Sequence, residues 1–442
     1  MPEFSGEEQA ALAGVIALQR GKVKEDTLAE LELSPDWQHD VLVLSAILRI
    51  AVGLDASESQ LTQIQQLEIS EYGGYREVKL MVDGPQALID ARSAQDDSQL
   101  WNSVGLPHLI VLEASEAERP PLPQAPETPG VQTDDPMSEA GRKVMLYHFA
   151  EVLRHEDGTR QGEDIEELHV MRVATRRLRA AFDIFGDAFK EKSLQRYLKR
   201  LRATGRALGR VRDLDVFMEK AQAYLQTLPE ADRPGLDPLL QEWKVQRDRA
   251  RDEMMVHLNS KEYQDFKREF GLFLETPGLG ARKISQFPPE PYQVCTVAPT
   301  LVYTRFGEAR SFDRILYNAQ IQQLHALRIE FKKLRYTLEF FQEVLGKEAK
   351  GLISVMKNLQ DHLGDLNDAD VATQILQDFL QQWDRQQMDR PLAERQNPEG
   401  VVNYLAYRHA ERYRLMVSFQ QAWASFIRPE FRRDLAQAVS VL

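Results

Sequence analysis

Between Leu168 and Phe185 the chain reads LHVMRVATRRLRAAFDIF, and between Leu324 and Phe341 it reads LHALRIEFKKLRYTLEFF. In a helix turning about 100° per residue, His169, Arg172, Arg176 and Arg179 fall within roughly 80° of arc. Leu178, Phe182 and Phe185 take the opposite side. The second stretch puts His325, Arg328, Lys332 and Arg335 on one arc, with Leu327, Leu334, Leu338 and Phe341 opposite. No Asp or Glu lies between Leu168 and Phe182, so the first stripe lacks i,i+4 acidic partners of its own. The chemistry of such a pair of stripes is anion binding. Guanidinium forks grip phosphate oxygens in pairs, lysine supplies a point charge, and imidazole adds a donor. No aromatic lies on the first cationic arc, so the stacking platform of base-reading sites is missing there. A long linear polyanion suits two facing stripes better than one small phosphate compound.

Further cations recur at helical spacing on other segments: Lys199, Arg202 and Arg206 at i, i+3, i+7, and the pairs Arg247/Arg251 and Arg408/Arg412 at i, i+4. So many cations held together repel one another unless an anion or nearby carboxylates offset them. Lys143 and Lys357 are additional candidates, and Arg177 and Lys333 sit at the edge of the arcs, suited equally to a groove edge or a salt bridge. The two histidines read as phosphate contacts ahead of packing, and without carboxylate or thiolate ligands beside them no metal site is expected. Asp213, Asp215, Asp368 and Asp370 read as carboxylates that orient arginines or cap helices, with Mg²⁺-mediated phosphate contact as the alternative. No nucleophile–base pair for phosphoanhydride cleavage is visible. The glycines near these acids are single, not a phosphate-cradling loop. No cofactor is expected.

Those stripes need helices to carry them, and the chain supplies them unevenly. At 442 residues, 43% hydrophobic and 28% charged, it has room for two or three domains. The net charge of −13 hides a division: residues 1–140 carry 8 basic and 25 acidic side chains, whereas Leu168–Asp215 carries 13 basic and 5 acidic. Fields act locally, so the second figure governs partners for the basic region. The single Cys295 excludes an internal disulfide and a cysteine zinc cluster. With no secretory signal and no run approaching about 18 apolar residues, a reducing cytoplasm is expected, without membrane association.

Residues 1–113 read as a small acidic α+β domain, with helical spacing at Thr27–Leu31 and Asp40–Leu54, a strand over Glu77–Val82 after the Tyr72–Tyr75 turn, and an apolar run at Leu109–Leu112. Residues 114–138 are proline-rich and read as an exposed linker. From Glu139 the pattern is helical, with a basic helix near Leu194–Leu208 and another over Pro238–Phe273. Residues 276–298, with four prolines and two glycines, separate a first bundle (139–275) from a second (299–442). The separation matches an internal repeat. Ala207–Val216 (ALGRVRDLDV) aligns with His362–Val371 (HLGDLNDADV), and Arg247, Arg251, Met255 and Val256 align with Arg408, Arg412, Met416 and Val417. The expected fold is mainly α: two four-helix bundles related by duplication and pseudo-two-fold symmetry.

The two histidine helices, with the LG–D–D segment after each, resemble the CHAD domain over roughly residues 136–428. That resemblance implies a basic groove or pore, between two four-helix bundles, that binds inorganic polyphosphate. By position it implies that His169, Arg172, Arg176, Arg177, Arg179, His325, Arg328, Lys332, Lys333 and Arg335 line it. HDVLVLSAILRIAVGLDAS, the Arg76–Asp83 strand and the Pro107–Leu112 run are similar to the C-terminal end of the exopolyphosphatase family, over about residues 25–115. The phosphate-handling catalytic half of that family has no counterpart in the sequence. The front is therefore expected to be a non-catalytic accessory, a regulatory domain or one that docks a protein partner. The leading expectation is a non-enzymatic polyphosphate receptor or targeting module for polyphosphate granules or phosphate metabolism. The alternatives are an enzyme acting on polyphosphate or nucleotides through the front domain, and an RNA- or DNA-binding module, with nucleic acid disfavoured.

Overall fold

The computed structural model describes residues 5–19, 33–72, 75–113, 122–124, 126–285 and 289–442. The helix expected at Thr27–Leu31 lies outside them. The chain forms two compact units, Met1–Leu122 with Arg268–Leu279, and Pro123–Lys267 with Gly280–Leu442.

The first unit contains α1 (Gly6–Leu18), α2 (Pro35–Leu54), β1 (Gln63–Tyr72), β2 (Tyr75–Asp83), α3 (Ala87–Asp96), α4 (Gln99–Ser103) and β3 (His108–Glu113). Its sheet runs β1-β2-β3, with β2 antiparallel to β1 and parallel to β3. Val78, Leu80, Val82, Leu109 and Val111 form a core with Ile50 of α2 and Ala91 and Ala94 of α3. At Gly53 a Cβ would come within 2.5 Å of the Ala94 Cα, so the crossing of α2 over α3 requires glycine. Strand β1 was not anticipated. Its Ile64, Leu67 and Ile69 do not alternate, because the register shifts between Ile64 and Gln66. Helix α2 also differs from expectation: its length and a mean hydropathy of 1.3 over 18 residues suffice to cross a membrane. Its Val41 and Ile50 are nonetheless buried in two of this unit's apolar clusters.

The second unit is helical: α5 (Met137–Arg154), α6 (Glu156–Gln161), α7 (Ile165–Phe185), α8 (Glu191–Leu225), α9 (Asp237–Asn259), α10 (Lys261–Glu275, which runs across the division), α11 (Val294–Arg310), α12 (Ile321–Phe340), α13 (Ala349–Met388), α14 (Glu399–Ile427) and α15 (Pro429–Val439). Helix α7 packs on α5 and α8, and α8 on α9; likewise α12 packs on α11 and α13, and α13 on α14. Tyr224, Leu236, Leu239 and Trp243 share one core with Leu376, Val401 and Tyr404, so these two groups of four helices close on each other.

Three expected boundaries shift. The helix expected over Pro238–Phe273 is two helices, because Ser260 turns to an extended conformation (ψ 148°) and its hydroxyl accepts from the Tyr263 amide at 3.3 Å. The second group begins at Val294 rather than residue 299. The end of the expected linker is anchored, not free. The Gly130 and Val131 amides donate to the Glu343 carboxylate (3.1 and 2.7 Å), Val131 is buried, and the Met137 amide donates to the Tyr292 carbonyl at 2.7 Å.

Candidate functional site

Helix α7 starts where Asp164 accepts from the Glu166 amide at 2.8 Å, with Glu166 and Glu167 favourably placed in its first turn. Helix α12 starts at Gln320, whose amide donates to Gln323 Oε1 at 2.8 Å. Both bury the apolar side the sequence marks out: Leu168, Met171, Leu178, Phe182 and Phe185 on α7, and Leu324, Leu327, Phe331, Leu334 and Leu338 on α12. Their C-terminal ends meet. Phe185 stacks on Phe340 with centroids 6.1 Å apart and meets Phe341 edge-on at 5.5 Å. Glu339 stands between Arg177 and Arg335, each at 3.3 Å. Burial and the Arg177 charge beside it push the His148 imidazole down to about 3, so it is neutral there.

Ahead of that junction the two cationic stripes share one neighbourhood. Burial, then Arg176, Arg328, Arg179 and Arg172, push the Lys332 amine down to about 8. Arg328 is likewise lowered, by burial and then by Arg176 and Arg172, with Asp368 and Tyr336 acting the other way. Three arginines of α7 therefore press on two cations of α12. Of these five, Arg172 has an ion pair, to Asp213 at 2.8 Å; among the described residues the other four have none. The Nε atoms of Arg176 and Arg328 are buried and have no hydrogen-bond partner among the described residues. Buried donors of this kind are ordinarily paired.

The glycine–aspartate segments lie inside α8 and α13. A Cβ on Gly209 would stand 3.6 Å from Arg172 Nε, and one on Gly364 would stand 3.9 Å from Arg328 Nε. A stripe arginine thus lies across each of these helices, in ordinary contact distance of the position a Cβ would take. The acids beside them hold arginines: Asp213 holds Arg172, Asp215 holds Arg247 at 2.8 Å, and Asp370 holds Arg412 at 3.1 Å. Lys220 joins Asp365 (3.1 Å) to Asp368 (3.5 Å).

Of the remaining candidates, His169 also lies within the field of Arg176 and Arg172, and the others are dispersed. Arg212 Nε donates to His169 Nδ1 at 3.2 Å, and burial, then Arg212, lower the His169 imidazole. His325 Nδ1 meets Asn367 Oδ1 at 2.9 Å beside a cavity of about 250 Å³. That cavity is lined by Ile321, Leu363, Asp370 and Gln374 among others, with no Lys or Arg in its wall. Lys143 is committed to Asp135 (2.8 Å) and Lys333 to Glu330 (2.8 Å). Arg251 donates to the carbonyls of Thr159, Arg160 and Gln161, which end α6 at Gly162 with φ 72°. Spacing alone grouped Arg251 with the anion-binding set, but its guanidinium satisfies helix-end carbonyls instead. Arg408 is buried against Glu411. Lys199, Arg202, Arg206 and Lys357 are exposed, and Arg206 lies near enough to His257 to lower its imidazole further after burial.

Arg212, Lys220, Tyr336 and Glu339 were not singled out from sequence. Glu339 had a signal, standing four residues after Arg335. Arg212 had none, since its partner His169 sits on another helix. Among the described residues no three His, Cys, Asp or Glu side chains gather as metal ligands. The cluster can hold a multiply charged anion along two helix faces.

A model of the CHAD domain matches residues 143–377, over half of the chain. The crystal structure of the CHAD domain from the plant Ricinus communis is 22% identical, covers 74% of this chain and 98% of its own, and superposes with a TM-score of 0.49. PptA from Streptomyces chartreusis is 14% identical, covers 66% of this chain and 100% of its own, with a TM-score of 0.48. No curated protein matches the chain.

Proposed function

Since this chain belongs to the CHAD domain family, we propose that it binds inorganic polyphosphate between α7 and α12 without turning it over, as a receptor or targeting module of phosphate metabolism. The observation that carries this reading is the confluence of Arg172, Arg176, Arg179, Arg328 and Lys332, with the buried Arg176 and Arg328 Nε atoms unpaired. Assembling such charges costs stability unless a counter-anion joins them. A chain of phosphates presents charge and acceptor oxygens along its whole length, which matches cations spread over two helices. The acidic first unit repels such a ligand and is read as an accessory that docks a protein partner, and the cytoplasmic polyphosphate granule is the proposed location.

The test is a titration of the full chain with polyphosphate of defined length. Arg172→Glu combined with Arg328→Glu reverses a charge on each stripe and should abolish measurable binding, with thermal melting showing that the helices persist. Full affinity in that double variant would remove the reading. Single-stranded RNA should displace the polymer poorly, and efficient displacement would point to nucleic acid instead.

A further inference from the structure

Tyr336 stands one helical turn beyond Lys332, on the flank of the cationic cluster. Its ring stacks on Phe340, with centroids 6.0 Å apart and planes 7° from parallel. Lys332 Nζ and Arg335 Cζ lie 5.9 and 5.2 Å from its centroid, so the ring is already shared by two cations. Its hydroxyl oxygen is buried and has no hydrogen-bond partner among the described residues. Arg328, whose own Nε is unpaired, lies within the electrostatic reach of this hydroxyl. A buried tyrosine hydroxyl nearly always finds a partner. Of its neighbours, Arg328, Lys332 and Arg335 carry no acceptor at all, and Asp368, which acts on Arg328, makes no hydrogen bond to it. What is missing beside Tyr336 is an acceptor oxygen, and every cation around it would attract one that is negatively charged.

We propose that the Tyr336 hydroxyl is a neutral donor to a bound phosphoryl oxygen, a ligand contact distinct in kind from the cations around it. This rests on the polyphosphate reading and deepens it. A neutral O–H adds affinity through geometry but neutralises no phosphate charge. It therefore releases no counterion, and its contribution does not fade with salt as that of an arginine does.

The experiment compares Tyr336→Phe with the unaltered full chain, titrating linear inorganic polyphosphate at several salt concentrations. The variant keeps the ring, its stacking and its cation contacts. Affinity should fall by roughly tenfold at every salt concentration, with the slope of log affinity against log salt unchanged. The ligand-free variant should melt at or above the temperature of the parent chain, because it no longer buries an unpaired hydroxyl. Unchanged affinity, or a changed slope, overturns the inference. So does a ligand-free melt several degrees lower, which would mean the hydroxyl already has a partner in the empty protein. If the parent chain fails to bind polyphosphate, the underlying reading falls and takes this inference with it; if only Tyr336→Phe is silent, the inference falls alone.

Discussion

Lys332 carries the clearest consequence of crowding cations. Its amine is held near 8 against an ordinary 10.5 by burial and four arginines, so the folded protein releases this proton before the unfolded chain does. Between those values the unfolded state binds more protons, and stability rises with pH. Ligand-free stability should therefore climb from about pH 8 toward pH 10, and Lys332→Met should flatten that climb relative to the parent chain. Polyphosphate reverses the sign: an anion favours the charged amine, so affinity should fall as pH passes about 8 in the parent and not in Lys332→Arg. Melting curves and titrations across that range check both halves. A stability difference between parent and Lys332→Met that stays constant with pH would show that Lys332 is not crowded as described.

At the scale of elements, the helix pairs work through what their partners leave empty. The Gly364 Cα faces Arg328 with just enough room for a methyl group, since an added Cβ sits at an ordinary 3.9 Å from Nε. Gly364→Ala should raise stability by about 0.5–1 kcal/mol through helix propensity and leave polyphosphate affinity within roughly twofold. Gly364→Leu carries its branch into the space of the guanidinium and should weaken binding by at least about tenfold; equal affinities for Ala and Leu would show that Arg328 does not lie over this glycine in the bound state. The same comparison shows what was legible beforehand. Helical period alone put Arg172, Arg176 and Arg179 on one side of α7 and Phe182 and Phe185 on the other, because a face is a local property. Whether Arg251 meets a ligand or the end of α6, and whether His325 faces the cations or Asn367, depends on which helix lies opposite. No spacing within one segment encodes that. The break at Ser260 was missed for a related reason: apolar residues on both sides keep helical spacing while one serine changes ψ. The register shift at Ile64–Gln66 hid strand β1 in the same way.

At the scale of the whole molecule, the question is how much of the positive charge meets the polymer. Every Lys and Arg marked by spacing would describe a long binding track; the geometry instead leaves Arg172, Arg176, Arg179, Arg328 and Lys332 to share a neighbourhood, with Lys143, Arg251 and Lys333 committed elsewhere. Counterion release separates these two pictures without a bound structure. At about 0.7 counterions per neutralised charge on a flexible single chain, five cations give a slope of log affinity against log salt near about −3.5, whereas all the candidates together would give one steeper than about −10. Titrations at pH 7, where Lys332 is charged, should return the shallower value, and it should not steepen as the polymer is lengthened beyond the span of the cluster. A slope steeper than about −10 would mean that cations paired here with carboxylates exchange those partners for phosphate, making the dispersed arginines part of the site after all.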